Sequence, residues 1–462
     1  MAIQQIEQPL IIQEEYAPFM PEMPTRLWLS SPHFYPTYGG AQNRYRHYIP
    51  GLIARGLDVR VMAGTPPIHE RSDTDICAGW YDPVPGTWLP PSSLNGAPIE
   101  RIRLPDEEGG VRSEIFYNAL LNVCQRPYKG AVVLQQLTYL KPDALPWIRS
   151  IKKTGAAISY SISQFPKWPQ KPFKRIFRRA GYRKVYSEFD AIVTNSESIV
   201  GFLQDIGVTT RIEYIPNGVD LQRFHTARSD EEKHETLKLR QQLGIPPHHK
   251  IITTVGAVIP RKRQDKIVKA WRQLLSRFPN THLLIIGPRT NALTPGFDQF
   301  SNSINEIIEN SGLGHQVHFT GVVENVESWL RASDIFVLAS DREGTPNSVL
   351  EAMASSLPCL VTPYTGISES IGKPGEQYQL VGRNSENIAT ALASLLEDDE
   401  PGRRLAERGR LFVTELADQA CSLDRYARLY EELSEISLSR RIPRSTLRPQ
   451  AHELAASGHQ RS

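Results

Sequence analysis

From Arg26 onward the chain alternates short apolar runs with longer stretches whose apolar positions recur every three or four residues. These are the two periods that separate strand from helix. The first series opens with a strand at Leu27–Ser30, a helix over Gly40–Ala54 and a strand at Val59–Met62. It continues through strands at Ala131–Leu134, Ala156–Tyr160, Ala191–Thr194 and Arg211–Ile215, with helices near 143–153, 171–187 and 196–206. Strand, helix, strand in that rhythm predicts a parallel sheet with crossover helices. Residues 64–98, rich in proline and without a sustained period, predict a long surface excursion.

A second series begins at Ile251–Val255. The helix after Gln264 puts Ile267, Val268, Trp271, Leu274, Leu275 and Phe278 on one face, as packing on a sheet requires. Further strands are predicted at His282–Ile286, Val317–Thr320, Ile335–Leu338 and Cys359–Val361. The pattern therefore predicts an α/β chain of two tandem, doubly wound parallel-sheet domains of Rossmann-like type, with a cleft where the carboxyl ends of both sheets face one another. The expected boundaries are a disordered arm over 1–24, a first domain over 25–222, a hydrophilic linker over 223–248 and a second domain over 249–415. A C-terminal helix over 416–436 is expected to pack back on the first domain, followed by a basic disordered tail over 437–462.

With 462 residues, 40% hydrophobic and 22% charged, the composition is that of a globular protein able to bury more than one core. No run approaches the roughly 18 apolar residues of a membrane span, and the first basic residue, Arg26, stands behind four glutamates, unlike a secretory signal. The net charge is +3, of which Arg440, Arg441, Arg444, Arg448 and Arg461 against Glu453 contribute +4. The rest of the chain is nearly neutral, which argues against nucleic acid as a partner. Cys77, Cys124, Cys359 and Cys421 form neither a CxxC pair nor a disulfide framework, so a cytoplasmic setting is expected. Asp73 and Asp75 lie in the excursion without a strand to aim them at a metal, and His315 and His318 have no third ligand close in sequence, so no metal is expected. There is no G-x-S-x-G elbow and no phosphate-binding P-loop.

The strongest chemical signal runs from Asp334 to Met353. A buried strand ends at Leu338, a loop with Gly344 and Pro346 follows, and a helix starts near Asn347. Unpaired N–H groups and the positive end of the dipole at such a helix start can hold a diphosphate. Glu343 and Glu351, in the loop and on the second turn, can face the same ligand, Glu343 towards its far end and Glu351 towards sugar hydroxyls. A second feature is Lys167–Lys184, with eight Lys and Arg, no acid, and Phe165, Trp168, Phe173, Phe177 and Tyr182 interleaved. On a helix Phe173, Ile176, Phe177 and Ala180 share one face, a pattern suited to an anionic membrane surface or a phosphate-bearing acceptor; the alternative is a buried aromatic face with solvated cations.

The segment Glu343–Met353 resembles the E-x7-E element of the retaining family 4 glycosyltransferases of the GT-B fold. Four further stretches resemble that family in the expected order: Pro36–Ala41 its first glycine-rich loop, Ile215–Asp220 its interdomain signature, Val255–Arg263 its basic phosphate loop, and Leu357–Ile371 its post-helix strand and Gly turn. The resemblance covers nearly all of 26–435. It implies a metal-independent, cofactor-free enzyme that moves a sugar from a UDP-, GDP- or ADP-sugar to a hydroxyl acceptor (glycan, lipid-linked or small molecule), with retention of configuration. The second domain would bind the nucleotide sugar and the first the acceptor.

Position by position, the resemblance makes Lys262 the cation against the donor diphosphate, Glu343 the acid at the transferred sugar and Glu351 the acid at the nucleotide ribose. Gly39 and Gly40 would let backbone approach the donor, Arg261 would assist Lys262, and Gly344, Thr345, Asn347, Ser348 and Val349 would surround the phosphates, mainly through backbone N–H groups. Ala257 stands where the family often has an arginine, so a second cation must come from elsewhere, Arg261 and Arg289 being candidates. Ser163, followed by Gln164, stands where many members carry a histidine near the transferred sugar; both are candidates for the acceptor and sugar side. These departures motivate the alternative, a non-catalytic sugar-nucleotide-binding subunit of the same fold.

Overall fold

The computed structural model describes residues 23–35, 40–66, 79–80, 82–107, 109–137, 142–163, 172–289, 297–310, 312 and 314–441. Two sheets carry the fold. The first has strands β1 (Arg26–Ser31), β2 (Asp58–Gly64), β3 (Ser92–Leu94), β4 (Ala97–Ile102), β5 (Val132–Gln136), β6 (Ala157–Ile162), β7 (Ala191–Thr194) and β8 (Arg211–Tyr214), in the order β3-β4-β2-β1-β5-β6-β7-β8. Only the β3–β4 pair is antiparallel. The second has β9 (Lys250–Val255), β10 (Thr281–Ile286), β11 (Val317–Gly321), β12 (Ile335–Leu338), β13 (Cys359–Val361) and β14 (Gln379–Leu380), all parallel, in the order β11-β10-β9-β12-β13-β14. In each sheet the chain winds outward from one central strand, then returns to that strand's other side and winds the opposite way. The order reverses at β1/β5 and at β9/β12, and in open α/β sheets the ligand crevice lies at such a reversal, beyond the carboxyl ends of the strands.

Both sheets are covered on both faces, which is why their strands read as continuous apolar runs. In β1, Trp28 enters one core cluster while Leu27 and Leu29 enter the other, the alternation a strand imposes. The helix Gln264–Leu274 buries Ile267, Val268, Trp271 and Leu274 against the second sheet. The helix Gln419–Arg441 returns to the first sheet, where Leu423, Tyr426, Leu429, Tyr430 and Leu433 join Leu27, Tyr45 and Tyr48. The chain thus crosses between lobes twice, and the crossings are tied together: Val219 N–H donates to Ala417 O (2.8 Å) and Gln419 N–H to Val219 O (2.9 Å).

Three expectations need correction. Residues 64–98 are not wholly a surface excursion, because β3 lies within them and β4 begins at Ala97, burying Leu94, Ala97 and Ile99. Residues 223–248 are not simply a linker. Residues 230–242 form a helix capped by Ser229, whose Oγ accepts from Glu232 N–H (3.2 Å) while Glu232 Oε2 accepts from Arg228 N–H (2.7 Å). This reciprocal cap and three acids in the first turn supply what the sparse apolar pattern hides, and Arg240, paired with Asp334 at 2.7 Å, fixes the helix to the second lobe. Finally, the tail does not begin at Ser437. Ser437 is buried with its Oγ donating to Gly155 O (2.8 Å), Arg440 pairs with Asp190 (2.6 Å), and Arg441 donates to Tyr128 O (3.0 Å). Among the described residues no helix is long and apolar enough to cross a membrane. The Asp73–Asp75 segment, the arm over 1–22 and the chain beyond Arg441 lie outside the described residues.

Candidate active site

The second sheet reverses its order between β9 and β12, and the loops leaving these two strands meet there. After β9 the chain makes one tight helical turn at Pro260–Lys262 before the helix at Gln264. After β12 it runs through Ser340–Pro346 into the helix Asn347–Ala354. Arg261 and Asp341 stitch the loops together: Asp341 N–H donates to Arg261 O (2.9 Å) and Arg261 Nη1 to Arg342 O (2.7 Å).

Held between the loops is an ion cluster. Lys262 Nζ and Arg261 Nη1 each lie 2.8 Å from Glu343 Oε1, and Ser340 Oγ donates to the same oxygen at 2.7 Å. Glu343 is buried at 9% exposure. Burial alone would raise its pKa, but the Lys262 and Arg261 charges outweigh that and hold the carboxyl down at about 2. The group is ionised throughout the ordinary pH range. All three of these contacts fall on Oε1. Gly256, at φ +143°, lies against the Lys262 stem; a Cβ there would stand 3.1 Å from Lys262 Cε.

The neighbouring helix starts at Asn347 behind Pro346, with no side-chain cap, so its first N–H groups form the electropositive end of a dipole aimed out of the sheet. Glu351 lies one turn further on. Its pKa is pushed up to about 7, chiefly by burial, opposed by Arg223 and Lys262 and reinforced by Glu327. Arg223 is itself held by Glu327 at 2.7 Å. The two carboxylates of the E-x7-E segment thus stand in opposite electrostatic states, one pinned as an anion and one poised to gain or lose a proton near neutrality.

The first lobe meets this site through side chains that sequence reasoning did not single out. Asn217 accepts on Oδ1 from Arg44 and from Asn195 Nδ2 (3.0 Å), and donates from Nδ2 to Thr345 O (3.1 Å) and to Asn347 Oδ1. Thr345 Oγ1 donates to Asn195 O at 2.6 Å and accepts from Ser370 Oγ at 3.2 Å. Arg44, buried at 5% exposure, also donates to Ser161 Oγ at 3.3 Å. Asn217 belongs to the Ile-Pro-Asn-Gly-Val-Asp stretch already noted, which was its only sequence signal; Arg44 and Asn195 had none.

The expected site residues therefore divide. Lys262, Arg261, Glu343 and Glu351 gather at the β9/β12 crevice, with Arg261 and Lys262 both on Glu343. Arg289 lies apart from them: it donates to Asn305 and stacks over Phe319 at 4.1 Å, since it leaves β10, one strand further out. Gly344 packs its Cα directly on Ser163 O, so the first and second lobes touch at two predicted positions. Ser163 Oγ is buried and has no hydrogen-bond partner among the described residues. The side chains of Thr345 and Asn347 join the lobes, Ser348 and Val349 are buried in the helix's first turn, and Gly40 opens the helix Gly40–Ile53 with open space at its Cα. Gly39 and Gln164 lie outside the described residues.

Comparison with known proteins follows the same division into lobes. The family model described as glycosyl transferase 4-like domain matches residues 39–218, and that of glycosyl transferases group 1 matches 235–412. A GDP-mannose-dependent monoacylated alpha-(1-6)-phosphatidylinositol monomannoside mannosyltransferase of Corynebacterium glutamicum is 27% identical over 245 residues, 51% of this chain and 60% of the relative. A D-inositol 3-phosphate glycosyltransferase of Nocardia farcinica is 26% identical over 240 residues, 50% of this chain and 51% of the relative. The chain therefore spans between half and three-fifths of the length of these relatives. Among solved structures, sucrose-phosphate synthase of Thermosynechococcus elongatus superposes with a TM-score of 0.68 at 18% identity, covering 88% of this chain and 99% of that one. Anabaena HepE in complex with UDP and glucose gives 0.65 at 16%, with the same coverage. At such identities these structures show the fold.

Proposed function

The chain belongs to the group 1 glycosyltransferases and has their GT-B fold, and from that premise we propose that it transfers a sugar from a nucleoside-diphosphate sugar to a hydroxyl acceptor, retaining the anomeric configuration. The observation that carries the reading is the Lys262–Glu343–Arg261 cluster beside an uncapped helix start at the β9/β12 reversal. Breaking a sugar–phosphate bond leaves its electron pair on the diphosphate. Groups that meet growing negative charge with fixed donors lower that barrier most. Lys262, Arg261 and the N–H groups at Asn347 and Ser348 are such donors, so the reading needs no metal.

Glu343 has two tasks in this scheme. Through Oε1 it holds both cations in place before substrate arrives, and through Oε2 it accepts from a hydroxyl of the sugar being transferred. Glu351 accepts from the ribose. The interlobe contacts at Gly344, Thr345 and Asn217 close the first lobe over the donor and exclude water that would hydrolyse it. The acceptor hydroxyl then enters from the carboxyl ends of β1, β5 and β6. Two relatives named for inositol-containing acceptors support a polyol, glycan or lipid-linked acceptor.

Glu351 supplies the test. Glu351→Ala should weaken binding of the cognate nucleoside diphosphate tenfold or more by isothermal titration, because a hydrogen bond to a charged group is worth about 1.5–3 kcal/mol. Unchanged affinity in a folded variant would remove Glu351 from the site. A pH series gives an independent check. The carboxylate form accepts from ribose hydroxyls, so affinity in the wild type should rise between pH 6 and pH 8, through the group's value of about 7, and Glu351→Gln should flatten that rise. The same raised pKa acts oppositely on folding: stability from this group is present below the unfolded value and is lost as pH climbs through about 7.

A further inference from the structure

The first lobe holds a buried cation without a counter-ion beneath the interlobe seam. Arg44 lies in the helix Gly40–Ile53 and is buried, and among the described residues no carboxylate pairs with it. The titratable groups around it are the phenols of Tyr426, Tyr45, Tyr48 and Tyr430. Taking an unpaired guanidinium out of water is costly, and an apolar side chain of similar length would fill the space at less cost. Nη2 donates to Ser161 Oγ near the carboxyl end of β6, Nη1 donates to Asn217 Oδ1, and Nε has no hydrogen-bond partner among the described residues.

Asn217 is buried in turn, and its backbone is tied on both sides: Ser422 Oγ donates to Pro216 O (2.8 Å) and Gly218 N–H to Tyr48 Oη (3.1 Å). With the backbone held, the amide reaches across to the second lobe, where Nδ2 donates to Thr345 O (3.1 Å) and to Asn347 Oδ1. A guanidinium has donors and no acceptor, while a backbone carbonyl only accepts. Between Arg44 and Thr345 O the amide therefore fits in one orientation. The other donor to Asn217 Oδ1 is Asn195 Nδ2, part of an amide that could present either end; Arg44 cannot. A charge-assisted bond to the amide oxygen also strengthens the donation from its nitrogen. We propose that Arg44 is a positioning residue: acting through Asn217, it holds Thr345 and the helix start at Asn347 against the first lobe, so that the donors meeting the departing diphosphate face the acceptor hydroxyl in a closed cleft.

Full-length Arg44→Met, Arg44→Lys, Asn217→Ala and the Arg44→Met/Asn217→Ala double variant test this. Arg44→Met should melt no lower than the wild type, because an apolar side chain replaces an uncompensated buried cation. It should also bind UDP, GDP or ADP, whichever the wild type binds, with unchanged affinity by isothermal titration. Its kcat should nevertheless fall about a hundredfold, as when reacting groups are misplaced by about 1 Å. Arg44→Lys, which keeps a cation and a donor, should recover on the order of tenfold of that loss. The double variant should be no slower than Asn217→Ala; losses that multiply would mean that Arg44 acts independently of Asn217 and overturn the proposal. Wild-type kcat in Arg44→Met would overturn it too, as would a joint fall in that variant's melting temperature and nucleotide affinity, which marks a merely structural role. The rates rest on the function proposed above, whereas small-angle X-ray scattering without substrate does not. Arg44→Met should show a larger radius of gyration than the wild type as the lobes part, and an unchanged profile would overturn the proposal. If the wild type turned over no donor while Arg44→Met still expanded, the transferase reading would fall and the positioning role would stand.

Discussion

Gly344→Ala should cost the enzyme both stability and activity. The added Cβ would lie well inside van der Waals contact of Ser163 O, a backbone atom at the end of β6 that no rotamer change can move away. Overpacking of this kind typically costs 1–3 kcal/mol. Here the strain falls on the seam between lobes, where Thr345 bonds Asn195 and Asn217 bonds Thr345. Opening the seam by even about 1 Å misplaces the helix start relative to the first lobe, so activity should fall on the order of a hundredfold. A lower melting temperature together with that loss is the expected result, read by calorimetry and initial rates. Gly201→Ala is the contrasting variant. Gly201 lies within the helix Glu197–Asp205 with nothing within 4 Å of an added Cβ, so the substitution should stabilise by roughly 0.5–1 kcal/mol through helix propensity. If Gly344→Ala behaved like Gly201→Ala, the lobes would not meet at Ser163 in the working enzyme.

Lys262→Ala should strike the chemical step. Removing one fixed donor to developing charge typically lowers kcat by about 10²–10³, while Arg261 and the helix start still bind the ground-state diphosphate. Steady-state kinetics should therefore show a large fall in kcat with a smaller change in donor KM. An effect confined to KM would make Lys262 an ordinary binding residue. Loss of Lys262 also removes the largest charge holding Glu343 ionised, so the variant's residual rate should begin to fall at higher pH than the wild type's on acidification.

Most of the architecture was legible because it is written in local periods. Strands buried on both faces, such as Ile251–Val255, and one-sided helices, such as that around Trp271, declare themselves over a few residues. The residues that meet at the β9/β12 reversal were legible because they lie in two short segments, Glu343, Gly344 and Glu351 in one and Arg261 and Lys262 in the other. What escaped notice depends on distance in sequence or on capping rather than on period. Residues 230–242 form a helix held by the Ser229–Glu232 cap and by Arg240, with little apolar patterning to betray it. β3 is three residues long and sits on an edge, paired by a short hairpin that the prolines around it obscure.

The Arg44–Asn217–Asn195–Thr345 network is made of hydrogen bonds of which the longest, Arg44–Asn217, joins residues 173 apart in the chain. No window along the sequence reveals that. The choice between Arg261 and Arg289 likewise turned on the sheet order. Both leave the carboxyl end of a strand, but only β9 borders β12.

The central claim is that the cleft breaks a sugar–phosphate bond in a nucleotide sugar with retention. The most direct measurement is to incubate the protein with UDP-, GDP- and ADP-sugars, follow nucleoside diphosphate release, and read the anomeric configuration of the sugar as it leaves by proton NMR. The expected result is slow release from one donor class, with the sugar emerging first in the donor's own anomeric form and the reaction lost in Lys262→Ala. Thermal stabilisation by a nucleoside diphosphate without release from any donor would contradict it and leave a sugar-nucleotide-binding subunit; an inverted product would refute the retaining course.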